Sequence, residues 1–317
     1  MRALISGGTG FAGVYLADFL AQQGKEVFVL STSLPQASSL GITYFKIDLR
    51  DFASLHRCCE EVQPDEVYHL AAISSVSGSW NDPRTTFEVN VLGTYNLMAA
   101  CLPLASQPRF LNVSSGQVYA VAAEGRLSED CPVRPASPYA ASKAMAELLI
   151  YQFPPSQQER VVTVRAFNHS GPRQSAEYAL SDFARQIAEM ETGMRAPVLT
   201  TGDLELDRDF TDVRDVVRAY VLLLQRGRGG ELYNVCSGVA RRLASACAVL
   251  QSLTSVQVTI RVVPEKVRPG QPQRICGDPG KLMAETGWLP TIPWETMLGD
   301  LLQHWRECVH QKAQMVR

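Results

Sequence analysis

Tyr139 and Lys143, four residues apart, are the pair in this chain best suited to proton transfer. They stand in Tyr139-Ala140-Ala141-Ser142-Lys143. The surrounding stretch from Pro138 to Leu149 is rich in good helix formers, with proline only at its start. On a helix, positions i and i+4 share a face, with Cβ atoms about 5–6 Å apart. A free tyrosine titrates near pH ~10, too high for easy exchange at neutrality. A nearby ammonium favours the phenolate and lowers that value. The spacing therefore predicts that Lys143 tunes Tyr139 toward working pH, where an acid/base catalyst is most efficient.

Such a pair needs a scaffold. Strand-like runs fall at Arg2–Ser6, Glu26–Leu30, Thr43–Lys46, Glu66–Leu70, Arg109–Val113 and Val161–Arg165. Helical stretches at Ala12–Gln23, Phe52–Val62, Thr85–Ala100 and Tyr139–Phe153 lie between them. This alternation predicts an α/β fold, a doubly wound parallel sheet with helices on both faces. Ligands then bind at the carboxyl ends of the strands. After about residue 168 prolines and glycines interrupt the pattern, which predicts a smaller C-terminal domain, 169–317, after a first domain over 1–168. Residues 205–226, with a helix at Asp212–Leu224, are expected to return to the first domain.

The first strand runs into Gly7-Gly8-Thr9-Gly10-Phe11-Ala12-Gly13 and then a helix. Glycines at 7, 10 and 13 permit a tight turn, close approach to a pyrophosphate and close helix packing. The helix N-terminus adds free N–H groups for phosphate. This is a Rossmann dinucleotide loop, and it places Thr9, Phe11 and Ala12 beside the cofactor. Asp48-Leu49, after the third strand, is expected at the adenine. Leu70-Ala71-Ala72, after the fourth, leaves room for the adenosine side. The second strand ends in Leu30-Ser31-Thr32-Ser33, without the acid that usually binds the ribose 2′-hydroxyl. Ser31 and Thr32 could instead hydrogen-bond a 2′-phosphate, so NADP(H) is favoured over NAD(H).

With 317 residues, 46% hydrophobic and 20% charged, the chain can bury a sizeable core. A net charge of -2 suggests neither nucleic-acid nor anionic-membrane binding. Apolar runs such as Ala219–Leu224 are too short to span a bilayer. The eight scattered cysteines form no Cys-x-x-Cys pair, and no metal site is expected. The start of the chain lacks a signal-peptide pattern, and a cytoplasmic location is expected. His69 reads as a structural strand-end residue. The helical stretches at about 85–101 and 138–153 carry apolar faces.

Together these motifs resemble the extended short-chain dehydrogenase/reductase superfamily. Asn90-Val91-Leu92-Gly93-Thr94, Ser114-Ser115, Arg165-Ala166-Phe167-Asn168-His169-Ser170-Gly171-Pro172, the run from Gly202 to Asp215, Val267-Arg268-Pro269 and Gly277–Leu282 carry the likeness further. Within the superfamily the chain is similar to the GDP-mannose 4,6-dehydratase group, and most similar to the reductases of that group that act on GDP-4-keto-6-deoxy-D-mannose. The resemblance implies that Ser115 hydrogen-bonds the sugar O4 and Tyr139 exchanges its proton. Lys143 would bind the nicotinamide ribose, and Asn90 would serve the cofactor site. Asn168, Arg208 and Arg268 would hold the nucleotide sugar in the C-terminal domain, Ser74 and Val76 would touch the sugar, and Trp80 would wall the pocket or sit in the core. A homodimer built on the two apolar helical stretches is also implied.

One departure separates sub-functions. Dehydratases carry an acid two residues after the catalytic Ser/Thr, whereas this chain has Gln117. An amide cannot act as a general base. Dehydration needs that base and ketone reduction does not. The expected activity is NAD(P)H-dependent reduction of the C4 ketone of GDP-4-keto-6-deoxy-D-mannose to a GDP-6-deoxyhexose of the GDP-D-rhamnose type. A 4-epimerase or dehydratase with tightly held NAD(P) is the alternative, and a non-catalytic dinucleotide-sensing regulator a remote one.

Overall fold

The computed structural model describes residues 1–35, 41–119, 125–267 and 272–315. Its centre is a seven-stranded parallel sheet. Six strands come from residues 1–166: β1 (Arg2–Ser6), β2 (Glu26–Ser31), β3 (Ile42–Lys46), β4 (Glu66–His69), β5 (Arg109–Ser115) and β6 (Val161–Ala166). Strands β7 (Asn168–Ser170), β8 (Val198–Thr201) and β9 (Asp207–Asp212) follow outside this sheet, and β10 (Leu232–Val235) completes it beside β6. The order is β3-β2-β1-β4-β5-β6-β10. The chain winds outward from β1 to β3, returns to place β4 against β1, and winds the other way. Neighbouring crossovers therefore leave from opposite sides of a crevice at β1 and β4, where open α/β sheets bind ligands. The six predicted strands are all present. Val161–Ala166 is buried at every position, as a strand covered on both faces requires.

The helices are α1 (Phe11–Gln22), α2 (Phe52–Val62), α3 (Val76–Asn81), α4 (Pro83–Phe87), α5 (Gly93–Cys101), α6 (Pro138–Leu148), α7 (Pro155–Gln158), α8 (Ala179–Glu191), α9 (Val213–Arg226), α10 (Leu243–Ser252), α11 (Gly280–Thr286) and α12 (Trp294–Met315). One sheet face is covered by α1 and α9, whose Leu16, Leu20, Val216, Tyr220 and Leu223 pack on Ile5, Val29 and Val164. The other face is covered by α2 and α5, where Leu55, Cys59, Leu97, Met98 and Cys101 pack on Leu4, Val67 and Phe110. Burying a side chain of this size contributes roughly 1.5–3 kcal/mol.

A separate apolar cluster joins α8, α10 and α12 through Phe183, Ile187, Leu250, Leu298 and Leu301. Two small sheets frame it: β9 with β7, β11 (Ala240–Arg242) and β13 (Arg274–Ile275), and β8 with β12 (Thr259–Val262). More of the C-terminal chain returns to the large sheet than α9 alone. Strand β10 joins its edge, and Leu282 and Trp288 enter its core. No helix among the described residues is long and apolar enough to cross a membrane.

The helical run expected over Thr85–Ala100 is interrupted. Between α4 and α5 the backbone makes one wide π-type turn over Glu88–Leu92. Such turns mark places where a side chain or backbone group is diverted for a task. Here Asn90 lies in that turn.

Candidate active site

The carboxyl ends of β1, β2, β4 and β5 open on a cavity of about 1160 Å³ that runs from the glycine loop to α8 and the β8–β9 loop. A single small-ligand pocket holds roughly 300–1,000 Å³, so this one has room for more than one such ligand.

At one end lie Gly7, Thr9, Gly10, Phe11, Ala12 and Gly13. Gly7 adopts φ +72°, the left-handed region that favours glycine. A Cβ there would also sit 2.7 Å from the Ala71 backbone. A Cβ on Gly13 would lie 2.2 Å from the Gly7 carbonyl oxygen, so α1 can approach the loop this closely only without one. A Cβ on Gly10, in contrast, would meet only Gly7 O, at 3.2 Å. The loop is thus packed tight against the protein at Gly7 and Gly13 and open at Gly10. No side chain caps α1, which leaves its first-turn N–H groups for an anion. These features fit the pyrophosphate of a dinucleotide.

The adenosine side is lined by Ser31, Thr32, Ser33, Asp48, Leu49, Leu70, Ala71 and Ala72. Ser31 Oγ lies 2.7 Å from Thr9 Oγ1, which ties the second strand end to the loop. Arg50 also lines this end. Its guanidinium forks onto Asp48, with Nε 3.0 Å from Oδ1 and Nη2 2.6 Å from Oδ2. The hydrogen bond from Arg50 holds the Asp48 carboxyl below its ordinary range. Arg50 was legible beside Asp48-Leu49 but was not expected at the site.

Helix α6 begins at an N-cap Ser137 whose Oγ accepts from Ala140 N at 3.1 Å, with Pro138 in the first turn. It delivers Tyr139 and Lys143 to the middle of the cavity. Strand β5 delivers Val113, Ser114 and Ser115, and the turn after it delivers Gln117. Ser115 and Tyr139, 24 residues apart, come together on the wall of this cavity. Lys143 is buried, and its Nζ donates to Val113 O at 2.7 Å.

Charge at this pair runs against the expectation from spacing. Burial pushes the Tyr139 phenol up to about 12, with the Ser115 hydrogen bond opposing it and Tyr178 adding to it. Burial also brings Lys143 down to about 8, with Glu147 holding it up. Loss of hydration disfavours both charged forms and outweighs the attraction that the spacing predicts. Tyr139 is therefore a protonated acid at neutral pH rather than a phenolate tuned by lysine.

Asn90 does not line the cavity. Its amide stands behind the wall, accepting from Ile73 N at 2.8 Å and donating to Ile73 O at 3.1 Å and Ser142 Oγ at 2.9 Å. Those bonds tie the loop after β4 to α6. Trp80 is 62% exposed and lies on neither the cavity nor the core. His69 is buried, with Nδ1 2.6 Å from Ser6 Oγ and Nε2 2.7 Å from Thr94 Oγ1. Thr94 donates to Asn90 O at 2.6 Å and so accepts from Nε2–H, which leaves Nδ1 to accept from Ser6. Burial and Lys143 depress His69 to about 3, so it is a neutral structural residue.

The far end of the cavity is lined by Ser74, Val76, Asn168, Gln174, Tyr178, Asp182, Arg185, Arg208 and Lys266. Arg208 is buried, and its Nη1 donates to Asp207 O at 2.8 Å and Gln273 O at 3.2 Å. Asp182 gathers Arg185 Nη2 at 2.6 Å and Lys266 Nζ at 2.7 Å. Ser74 Oγ and Tyr178 OH meet at 2.9 Å across the cleft. Three cations at this end suit a diphosphate. Tyr178, Arg185 and Lys266 carry no local motif, and only the return of α8 and the β12 region brings them here. Arg268 falls outside the described residues.

Comparison with known proteins follows the same lines. The family model described as GDP-mannose 4,6 dehydratase matches residues 4–301. The chain is 34% identical over 313 residues to a GDP-6-deoxy-D-mannose reductase of Pseudomonas aeruginosa, covering 98% of this chain and 99% of the relative. It is 29% identical to a GDP-mannose 4,6-dehydratase of Vibrio cholerae, over 95% of this chain and 92% of the relative. Among solved structures it is similar to RMD from Pseudomonas aeruginosa complexed with NADPH, with TM-score 0.84, 33% identity, and 97% and 99% of the two chains covered. It is equally similar to a Thermus thermophilus UDP-glucose 4-epimerase complex with NAD, with TM-score 0.85, 33% identity, and 96% and 99% covered.

Proposed function

This chain belongs to the GDP-mannose 4,6-dehydratase family of NAD(P)-dependent extended short-chain dehydrogenase/reductases, and from that premise we propose that it is a reductase, not a dehydratase. Its substrate in this reading is GDP-4-keto-6-deoxy-D-mannose and its product the GDP-6-deoxyhexose of D-rhamnose type. Gln117 carries the reading. It lines the cavity two residues after Ser115, and its amide cannot take a proton from carbon.

The loop from Gly7 to Gly13 would hold the pyrophosphate of the cofactor, Asp48 and Leu49 its adenine, and Lys143 the nicotinamide ribose. When bound, NADPH supplies the hydride. Ser115 and Tyr139 both reach the cavity and can share one carbonyl oxygen. Tyr139, protonated at neutral pH, donates to the oxygen as negative charge develops there, and Ser115 steadies it with a second hydrogen bond. Arg208, Arg185 and Lys266 hold the diphosphate end. Ser31, Thr32 and Arg50 favour a 2′-phosphate, hence NADP(H), since the strand end presents hydroxyls and the nearby cation could exchange Asp48 for phosphate.

Incubation with NADPH and GDP-4-keto-6-deoxy-D-mannose should consume the reduced cofactor, faster than with NADH. Inertness toward both cofactors overturns the reading. Purified protein that carries stoichiometric oxidised NAD and interconverts sugars without net reduction would replace it with a 4-epimerase.

We extend the proposal to a cytosolic homodimer. Buried thiols such as Cys58, Cys59 and Cys101 suit a reducing compartment. Leu92, Tyr95, Met145, Leu148 and Tyr151, from the segments around α5 and α6, are exposed, an apolar surface that a second copy would cover. Light scattering should give twice the 34.9 kDa of one chain, and Leu148→Glu should shift the mass toward one chain. A single-chain mass for the native protein at micromolar concentration removes the dimer.

A further inference from the structure

Helix α6 carries a third ionisable position on the face of Tyr139 and Lys143. Glu147 follows Lys143 by four residues, as Lys143 follows Tyr139, so the three share one face. The end of β5 answers each of them. Ser115 lines the cavity with Tyr139, Val113 O accepts from Lys143, and Ser114 Oγ donates to Glu147 Oε1 at 2.5 Å. Three consecutive residues of this strand thus meet three successive turns of one helix, two of them through hydrogen bonds.

Glu147 does not reach the cavity. Its carboxylate is gripped from β6 by Arg165, with Nε 2.9 Å from Oε1 and Nη2 2.7 Å from Oε2. The side chains of Arg165 and Glu147 are only 6% and 12% exposed. Arg165 in turn lies over the Tyr119 ring at 4.5 Å, and Tyr119 OH donates to Asn234 Oδ1 of β10 at 2.6 Å. A buried ion pair is weak support for stability, because apolar replacements of equal volume are often as stable. The pair here instead fixes one negative charge on the catalytic helix.

We propose that Glu147 is a positioning residue for the reaction: anchored by Arg165, it clamps the β5 end in register with Tyr139 and faces Lys143 with a fixed negative charge. This rests on the reading of Tyr139 and Lys143 as the reacting pair. The groups around them are few. Lys143 faces Glu147 on its own helix, the neutral His69 from β4 and the Val113 carbonyl from β5. Tyr139 faces Ser115, Tyr178 near the start of α8 and Tyr220 of α9. Arg165 also donates to the Glu129 carbonyl at 3.4 Å. Among these, Glu147 is the group that holds the Lys143 ammonium up against burial.

The test uses Glu147→Gln and the double variant Glu147→Gln/Arg165→Met, which leaves no orphaned cation should the single variant fail to fold. Removing the carboxylate lowers the lysine further. The basic limb of the pH profile of kcat should therefore move down by about one pH unit, while KM for the nucleotide sugar stays within about twofold. A second readout needs no cofactor or substrate. Lys143 sits at about 8 when folded against its ordinary 10.5, so the unfolded chain binds the proton more readily between those values and stability rises with pH across that window. In both variants that rise should begin at lower pH, and Lys143→Met, which lacks the titrating amine, should remove it. Glu147→Asp should restore part of the native limb. A thermal-unfolding profile and a kcat limb at the native pH in both variants, with only the amplitude reduced, overturn the proposal and leave Glu147 a structural residue. If the native protein shows no reductase activity, the unfolding profile still decides the role of Glu147, and the failure belongs to the assigned reaction.

Discussion

Tyr139→Phe should lower kcat for ketone reduction by ~10²–10⁴-fold, the range that general acid catalysis contributes. The structure explains both the size and the selectivity of the loss. Tyr139 lines the cavity with Ser115 and carries a proton at neutral pH, because burial pushes its phenol up to about 12. Phenylalanine keeps the ring and its packing at the start of α6, but nothing then protonates the oxygen. The glycine loop is untouched, so binding of reduced dinucleotide, measured by fluorescence, should stay within about twofold. The thermal midpoint should also hardly move, since one hydroxyl bond contributes about 1 kcal/mol net. Because the phenol remains protonated across the neutral range, native activity in the reducing direction should show no loss attributable to Tyr139 between pH 6 and about 9. Activity of Tyr139→Phe within tenfold of native would remove Tyr139 as the acid.

Lys143→Met should disable the enzyme and stabilise the fold. Burial brings the ammonium from its ordinary 10.5 to about 8. That change corresponds to about 3 kcal/mol of folding free energy lost below pH 8, at about 1.4 kcal/mol for each tenfold change in proton affinity. The sign follows from proton binding. The unfolded chain keeps the lysine charged up to 10.5 and the folded chain only to about 8, so the penalty is full below 8 and gone above 10.5. Methionine has similar length and carries no charge. It forfeits the hydrogen bond to Val113 O, worth about 1 kcal/mol. The variant should therefore be more stable than native by about 2 kcal/mol at pH 7 and lose this advantage toward pH 10.5. Chemical denaturation at the two pH values checks this. Activity should fall by at least ~10²-fold, as when one preorganised hydrogen-bond donor is removed from a reaction centre. A destabilised variant at pH 7 would mean that the ammonium is stabilised in the fold, contrary to its burial.

Both predictions turn on the same correction. Spacing placed Tyr139 and Lys143 on one helical face, and they are there. Spacing also implied that the lysine lowers the tyrosine, but the β5 end lies against the helix and removes water from both groups. Desolvation depends on what the tertiary structure stacks above a residue, and no i,i+4 rule contains it. Asn90 teaches a related lesson. Its motif marked it as important, yet the π-type turn over Glu88–Leu92 sends its amide into Ile73 and Ser142 instead of the cavity. Arg50 shows the reverse: an unremarked neighbour of Asp48 becomes part of the adenosine wall because the loop after β3 folds over the crevice.

What the sequence determined by itself was whatever short-range physics controls. The alternation of strand and helix runs came through, because burial on both faces demands continuous apolar strands. The glycine loop came through, because a left-handed φ at Gly7 and a missing Cβ at Gly13 are requirements of single residues. The Tyr-x-x-x-Lys face and the neutral Gln117 were legible for the same reason. The tertiary structure alone decided the rest: the return of β10 to a sheet begun more than 200 residues earlier, the meeting of Ser115 with Tyr139, the cations gathered around Asp182, and the protonation of the reacting pair. Each of these depends on segments far apart in the chain excluding water from one another. That exclusion sets both the shape of the cavity and the side of neutrality on which its acid rests.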